Sequence, residues 1–236
     1  MNLKLCLHRL SVAMLLAVLP IVISASARAD ALVVALDVSE SSPIFGDDAF
    51  LRSAAAQIAD RIRALPVGSK VRVFYLGDDR VRMQMQLDLN VQRLNTREGA
   101  TAEAIAKAFP AALVDKVAEF KLKPMHRQSH LTTGFFDGVR LCTDHQSQKE
   151  GGARAERCEI FMLSDGAQYE KGRIEYPRDV SRRPLPPVAG LDLRGVRVTL
   201  FGCGQGLDSA VRVTMTARWE NWLRDAGATE ITLRRL

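Results

Sequence analysis

Ala31 to Leu36 reads A-L-V-V-A-L, an apolar run with no polar gap. Such a run is the signature of a strand buried on both faces. From Phe50 to Leu65 the apolar positions fall at Phe50, Ala54, Ile58, Ile62 and Leu65, a helical spacing that Pro66-Val67-Gly68 stops. Val71, Val73 and Tyr75 predict a second strand, and Gly77-Asp78-Asp79 a turn. Val81, Met83, Met85, Leu87 and Leu89 then alternate with Arg82, Gln84, Gln86 and Asp88. Strict alternation predicts a half-exposed strand, an antiparallel edge reached by a hairpin.

Further along, Thr101 to Lys121 predicts a second helix, with a break or kink at Pro110. Thr132 to Leu141 predicts a third, with Phe135, Phe136 and Val139 on its apolar side. Glu159 to Leu163 is a buried strand ending at Ser164-Asp165-Gly166. Gln168 to Gly190 reads as a polar, proline-rich loop without a core. Val196 to Phe201 is another buried strand, ending in Gly202-Cys203-Gly204. Ala217 to Ala226, with Trp219, Trp222 and Leu223, is a helix closed by Gly227, and Ile231 to Leu233 a last strand. Strands alternating with helices imply a three-layer, doubly wound α/β fold. Its sheet is mostly parallel, with one antiparallel edge strand. Such sheets bind ligands beyond the carboxyl ends of their strands, where the strand order reverses.

Residues 1–29 change the reading of the charge. Lys4 and Arg9 precede an apolar stretch from Leu10 to Ile23, and Ala27-Arg28-Ala29 resembles an export cleavage site. Fourteen residues fall short of the ~20 that span a bilayer. The expectation is a signal peptide over 1–29, one domain over 30–236, and a periplasmic protein that is not integral to the membrane. The formal charge of +6 includes Lys4, Arg9 and Arg28, so residues 30–236 carry 30 bases against 27 acids, net +3. Arg182-Arg183 and Arg234-Arg235 are too short to make a nucleic-acid footprint, so no nucleic-acid partner is expected.

The first strand runs directly into Asp37-Val38-Ser39-Glu40-Ser41. Residues two apart in extended chain point the same way, so Asp37, Ser39 and Ser41 converge. One carboxylate and two hydroxyls form a hard oxygen set that suits Mg2+ or Mn2+ rather than zinc. Asp165 follows another buried parallel strand and reaches the same sheet edge. Ser129, Thr132 or Thr133 offers a further oxygen. The plainer alternative is that Asp37 and Ser39 satisfy backbone groups at a turn.

D-V-S-E-S after a buried strand and S-D-G after a later one resemble the metal-ion-dependent adhesion site of von Willebrand factor type A domains. The likeness covers residues 31–236 and includes the element order. It implies that Ser39 and Ser41 ligate the ion through their hydroxyls, and that Asp37 and Asp165 hold it directly or through water. The family's threonine opens the loop before the third helix, often after a Gly-Gly pair. This chain has Gln128-Ser129-His130 there, so Ser129 takes that place, with Thr132 as the other choice. The resemblance implies an open coordination position that accepts a carboxylate of a partner protein in the cell envelope. A different role is a structural component of a secretion or conjugation assembly with a degenerate metal site, contacting its neighbours through Gln168 to Gly190.

Cys142 ends the third helix and Cys158 begins the next strand, so a right-handed return brings both to one edge of the sheet. A disulfide is expected between them. Cys203 ends a strand at the opposite edge and is expected to be a buried free thiol. No G-x-S-x-G elbow or histidine partner accompanies Ser39, and no enzymatic activity is expected.

Overall fold

The structure is a computed structural model and describes residues 30–77, 84–96, 99–121, 130–143, 157–168 and 184–236. The expected signal peptide and Ser129 therefore lie outside the described residues. So do Val81 and Met83 of the alternating segment, and residues 169–183 of the proline-rich loop.

Seven strands form one sheet: β1 (Asp30–Asp37), β2 (Lys70–Leu76), β3 (Gln84–Val91), β4 (Gly99–Ala100), β5 (Arg157–Leu163), β6 (Val196–Phe201) and β7 (Glu230–Arg234). Their order is β4-β3-β2-β1-β5-β6-β7. β1 pairs in parallel with both β2 and β5, and β5, β6 and β7 continue in parallel. β3 runs antiparallel to β2, as the alternating pattern predicts. The outermost place belongs to the two-residue β4, which pairs with β3 at Asn90 and Val91. The described helices are α1 (Pro43–Gly46), α2 (Asp48–Arg63), α3 (Ala102–Lys121), α4 (Leu131–Cys142) and α5 (Ser209–Asp225).

Alternate residues of β1 feed two cores, which is why its sequence has no polar gap. Leu32, Val34 and Leu36 pack under α2 and α3 with Val71, Tyr75, Phe161 and Phe201. Ala31, Val33 and Ala35 face α4 and α5 with Phe74, Ile160, Val198 and Trp219. The rings of Phe135, Trp219 and Trp222 meet at centroid separations of 5.5–5.8 Å, so both tryptophans are core residues. At Gly134 a Cβ would lie 2.6 Å from Leu76 Cδ1, so only glycine lets α4 approach β2 this closely.

Three expectations are corrected. Pro110 does not break α3, which runs continuously from Ala102 to Lys121. A proline inside a helix costs about 3 kcal/mol. Burial of Ile105, Phe109, Leu113, Val117 and Phe120 on that helix offsets it. The last helix begins at Ser209 rather than Ala217. Asp208 caps it by accepting from the N–H groups of Ala210 and Val211, each at 3.0 Å. The proline-rich loop is also not without a core: of its described residues, Gln168 and Leu185 are buried.

The disulfide joins Cys142 to Cys158, as expected. Cys158 pairs with Ala31, so the bond lies at the edge where β1 begins.

Candidate metal centre

β1 lies between β2 and β5, and the chain crosses from one side of it to the other. The strand order therefore reverses at β1 and β5, and their carboxyl ends place Asp37 beside Ser164 and Asp165. Val38 N–H still donates to the Leu76 carbonyl at 3.0 Å, which fixes the direction in which the chain leaves the sheet.

Asp37 is fully buried. Its Oδ1 accepts from the Ser39 N–H at 2.9 Å, and its Oδ2 accepts from the Ser164 hydroxyl at 2.6 Å. A buried carboxylate needs such donors, because leaving it unsolvated and unpaired is costly. The turn-capping role anticipated for Asp37 is thus present. Ser39 is buried and Ser41 exposed. Their hydroxyl oxygens are 3.4 Å apart. Neighbouring ligands on an octahedral Mg2+ at 2.0–2.1 Å stand about 2.9 Å apart. The two serines are therefore within about half an ångström of that spacing.

The segment Ser164–Gln168 ties the site to the rest of the fold. Ser164 Oγ accepts from the Gly166 N–H at 3.0 Å while donating to Asp37. Asp165 is half-buried, and its Oδ1 accepts from the Ala167 N–H at 2.9 Å. The Asp165 carbonyl accepts from the Gly204 N–H at 2.8 Å, and the Gly166 carbonyl from Trp219 Nε1 at 2.9 Å. Gly166 has φ +85°, and a Cβ there would meet Trp219 Nε1, Cys203 Sγ and Met215 Sδ at 3.0–3.1 Å. Both facts require the glycine of S-D-G. Gln168 is buried, and its Oε1 accepts from the Thr132 N–H at 3.0 Å.

The structure thus gathers Asp37, Ser39, Ser41 and Asp165 at one sheet edge. Thr132 is buried at the start of α4 with its N–H held by Gln168, and Thr133 is half-buried. Ser164 and Gln168 are the residues that sequence reasoning missed as parts of the site. Ser164 was visible only as the first letter of S-D-G, and Gln168 only as the start of a loop. Among the described residues no three or more His, Cys, Asp or Glu side chains gather in one place. The donor set here is two carboxylates and hydroxyls, which fits Mg2+ or Mn2+.

A doubly wound sheet with β1 at its centre, a reversed third strand, D-V-S-E-S after β1 and S-D-G after β5 is the arrangement that the resemblance implies. The fold is like that of a von Willebrand factor type A domain. Solved structures with a similar course include manganese-loaded TRAP protein of Plasmodium vivax, 14% identical with a TM-score of 0.41, covering 80% of this chain and 63% of that one. BatB of Bacteroides thetaiotaomicron is 15% identical with a TM-score of 0.44, covering 88% and 90%. The pilus adhesin SpaC of Lactobacillus rhamnosus GG is 10% identical with a TM-score of 0.39, covering 84% and 30%. This chain thus spans less than two thirds of the TRAP and SpaC chains. No family model and no curated protein matches it.

Cys203 is a buried free thiol, as expected. Burial, and then the charge of Asp165, push its pKa up to about 12. It is therefore a packed apolar group and not a thiolate ligand at neutral pH.

Proposed function

We propose that this protein is an exported, non-enzymatic interaction module. In this reading Asp37, Ser39, Ser41, Ser129 and Asp165 hold a Mg2+ or Mn2+ ion. The observation that carries the reading is the pinned Asp37 carboxylate with two converging serine hydroxyls at the point where the strand order reverses. The bound ion would supply a positive centre with an open coordination position facing solvent. Ser39 and Ser41 present neutral oxygens, so a carboxylate of a partner protein is attracted rather than repelled there. The backbone and Ser164 donors on Asp37 keep its charge in place without further reorganisation. The Cys142–Cys158 bond supports an oxidising compartment such as the periplasm. No described helix is long and apolar enough to cross a membrane, in keeping with a partner reached from the aqueous side.

The test is calorimetric titration of the purified protein with Mg2+ and Mn2+, with Asp37→Ala and Asp165→Ala in parallel. Saturable binding that both substitutions abolish is the expected result. No binding at millimolar metal overturns the metal assignment. Retention of partner capture by both variants overturns the recognition mechanism.

A further inference from the structure

The first turn of any α-helix carries N–H groups with no acceptor inside the helix. In α4 the residue before the helix, His130, makes no capping bond with its side chain. The acceptor comes instead from 36 residues further along the chain, as Gln168 Oε1 on the Thr132 N–H. Gln168 is only 3% exposed. A glutamine buried to this degree is placed for that bond, since burying its amide without partners is costly. Its own backbone belongs to the segment that carries Asp165. One bond thus fastens the Asp165 loop to the turn where the chain enters α4.

We propose that Gln168 is a positioning residue of the metal centre, setting the separation between Asp165 and the first turn of α4, where Thr132 is the alternative hydroxyl to Ser129. The inference rests on the metal reading above. An octahedral Mg2+ site tolerates little error in the spacing of its ligands. Strands β1 and β5 fix Asp37 and Asp165 through the sheet. The entry to α4 is tied to the end of β2 by the His130 N–H on the Gly77 carbonyl, at a long 3.5 Å, and Gln168 adds the shorter tie to the Asp165 segment. Residues that orient ligands without touching the metal typically alter its affinity by 10–100-fold.

Two variants separate positioning from bulk packing. Gln168→Met keeps the length and removes the acceptor. Gln168→Glu keeps the acceptor and adds a charge that a helix N-terminus favours. Manganese affinity is read by electron paramagnetic resonance, and amide hydrogen exchange is followed over residues 130–134. Gln168→Met is expected to expose the Thr132 amide to faster exchange and to weaken Mn2+ binding about tenfold. Gln168→Glu is expected to hold the exchange of the Thr132 amide near its wild-type value. Faster exchange in Gln168→Met with wild-type Mn2+ affinity overturns the proposal, as does unchanged exchange. A wild-type protein that binds no Mn2+ overturns the metal reading itself and this role with it. Normal wild-type binding beside an unaffected Gln168→Met overturns only the role of Gln168.

Discussion

Replacing both Cys142 and Cys158 by alanine removes a crosslink that closes a loop with a sequence separation of 16. In the chain-entropy account a loop of that length restricts the unfolded chain by about 3 kcal/mol at 25 °C. For a domain of this size each kcal/mol shifts the melting temperature by about 2–4 °C. The double variant should therefore melt about 6–12 °C below the wild type. Thermal unfolding by circular dichroism, with and without reductant, is the assay. Reductant should bring the wild type down to the variant's melting temperature and leave the variant unmoved. Cys158 lies opposite Ala31 at the start of β1, whereas Asp37 ends that strand, so metal affinity in the folded variant should match the wild type. A drop below about 2 °C would refute the reasoning, because it would mean that the crosslink does not restrict the unfolded chain.

At pH 8 Cys203, with its pKa raised to about 12, should carry about a thousandfold less thiolate than an unfolded cysteine. Iodoacetamide should label it only after unfolding, and fast labelling of the native protein would contradict its burial. The raised pKa means that the fold favours the neutral thiol. The resulting stability is complete below about pH 8.5 and is lost as the pH climbs toward the folded value, which urea melts at pH 7.5 and 9.5 can measure. Trp219→Phe keeps an aromatic ring, though a smaller one, and strips the Gly166 carbonyl of its 2.9 Å donor. The buried acceptor left behind should cost about 1–3 kcal/mol in denaturant unfolding. A loss under about 0.5 kcal/mol would show that water replaces the indole.

The parallel strands were legible because their burial is written locally: a chain covered on both faces has no polar positions to spare. Helix α5 was legible only from Ala217 because its first two turns mix half-exposed Val211 and exposed Val213 with polar neighbours. The cap at Asp208 was the clue to its true start. Pro110 misled because its penalty is local and the compensating burial of Phe109 and Leu113 is tertiary. The same division runs through the site. Asp37, Ser39 and Ser41 lie within five residues, so their proximity is local, though a turn closed by the Ser42 N–H on the Ser39 carbonyl, rather than extended backbone, brings Ser41 round to Ser39. Ser164 meets Asp37 across 127 residues, and Gln168 meets Thr132 across 36. Those contacts exist only once the sheet order and the α4 crossover are set. No spacing rule within one segment predicts them.

The central position of β1 has a mechanical consequence. Asp30 begins the strand at one edge of the sheet, and Asp37 ends it at the other. β1 is laddered to β2 and β5 on both sides along its length. A pull applied between Asp30 and a point just beyond Asp37 acts along the strand axis. The already extended backbone of β1 carries that load, and neither ladder is peeled rung by rung. The geometry that brings the serines and carboxylates to one edge therefore also gives that edge a direct line of tension to the start of the strand.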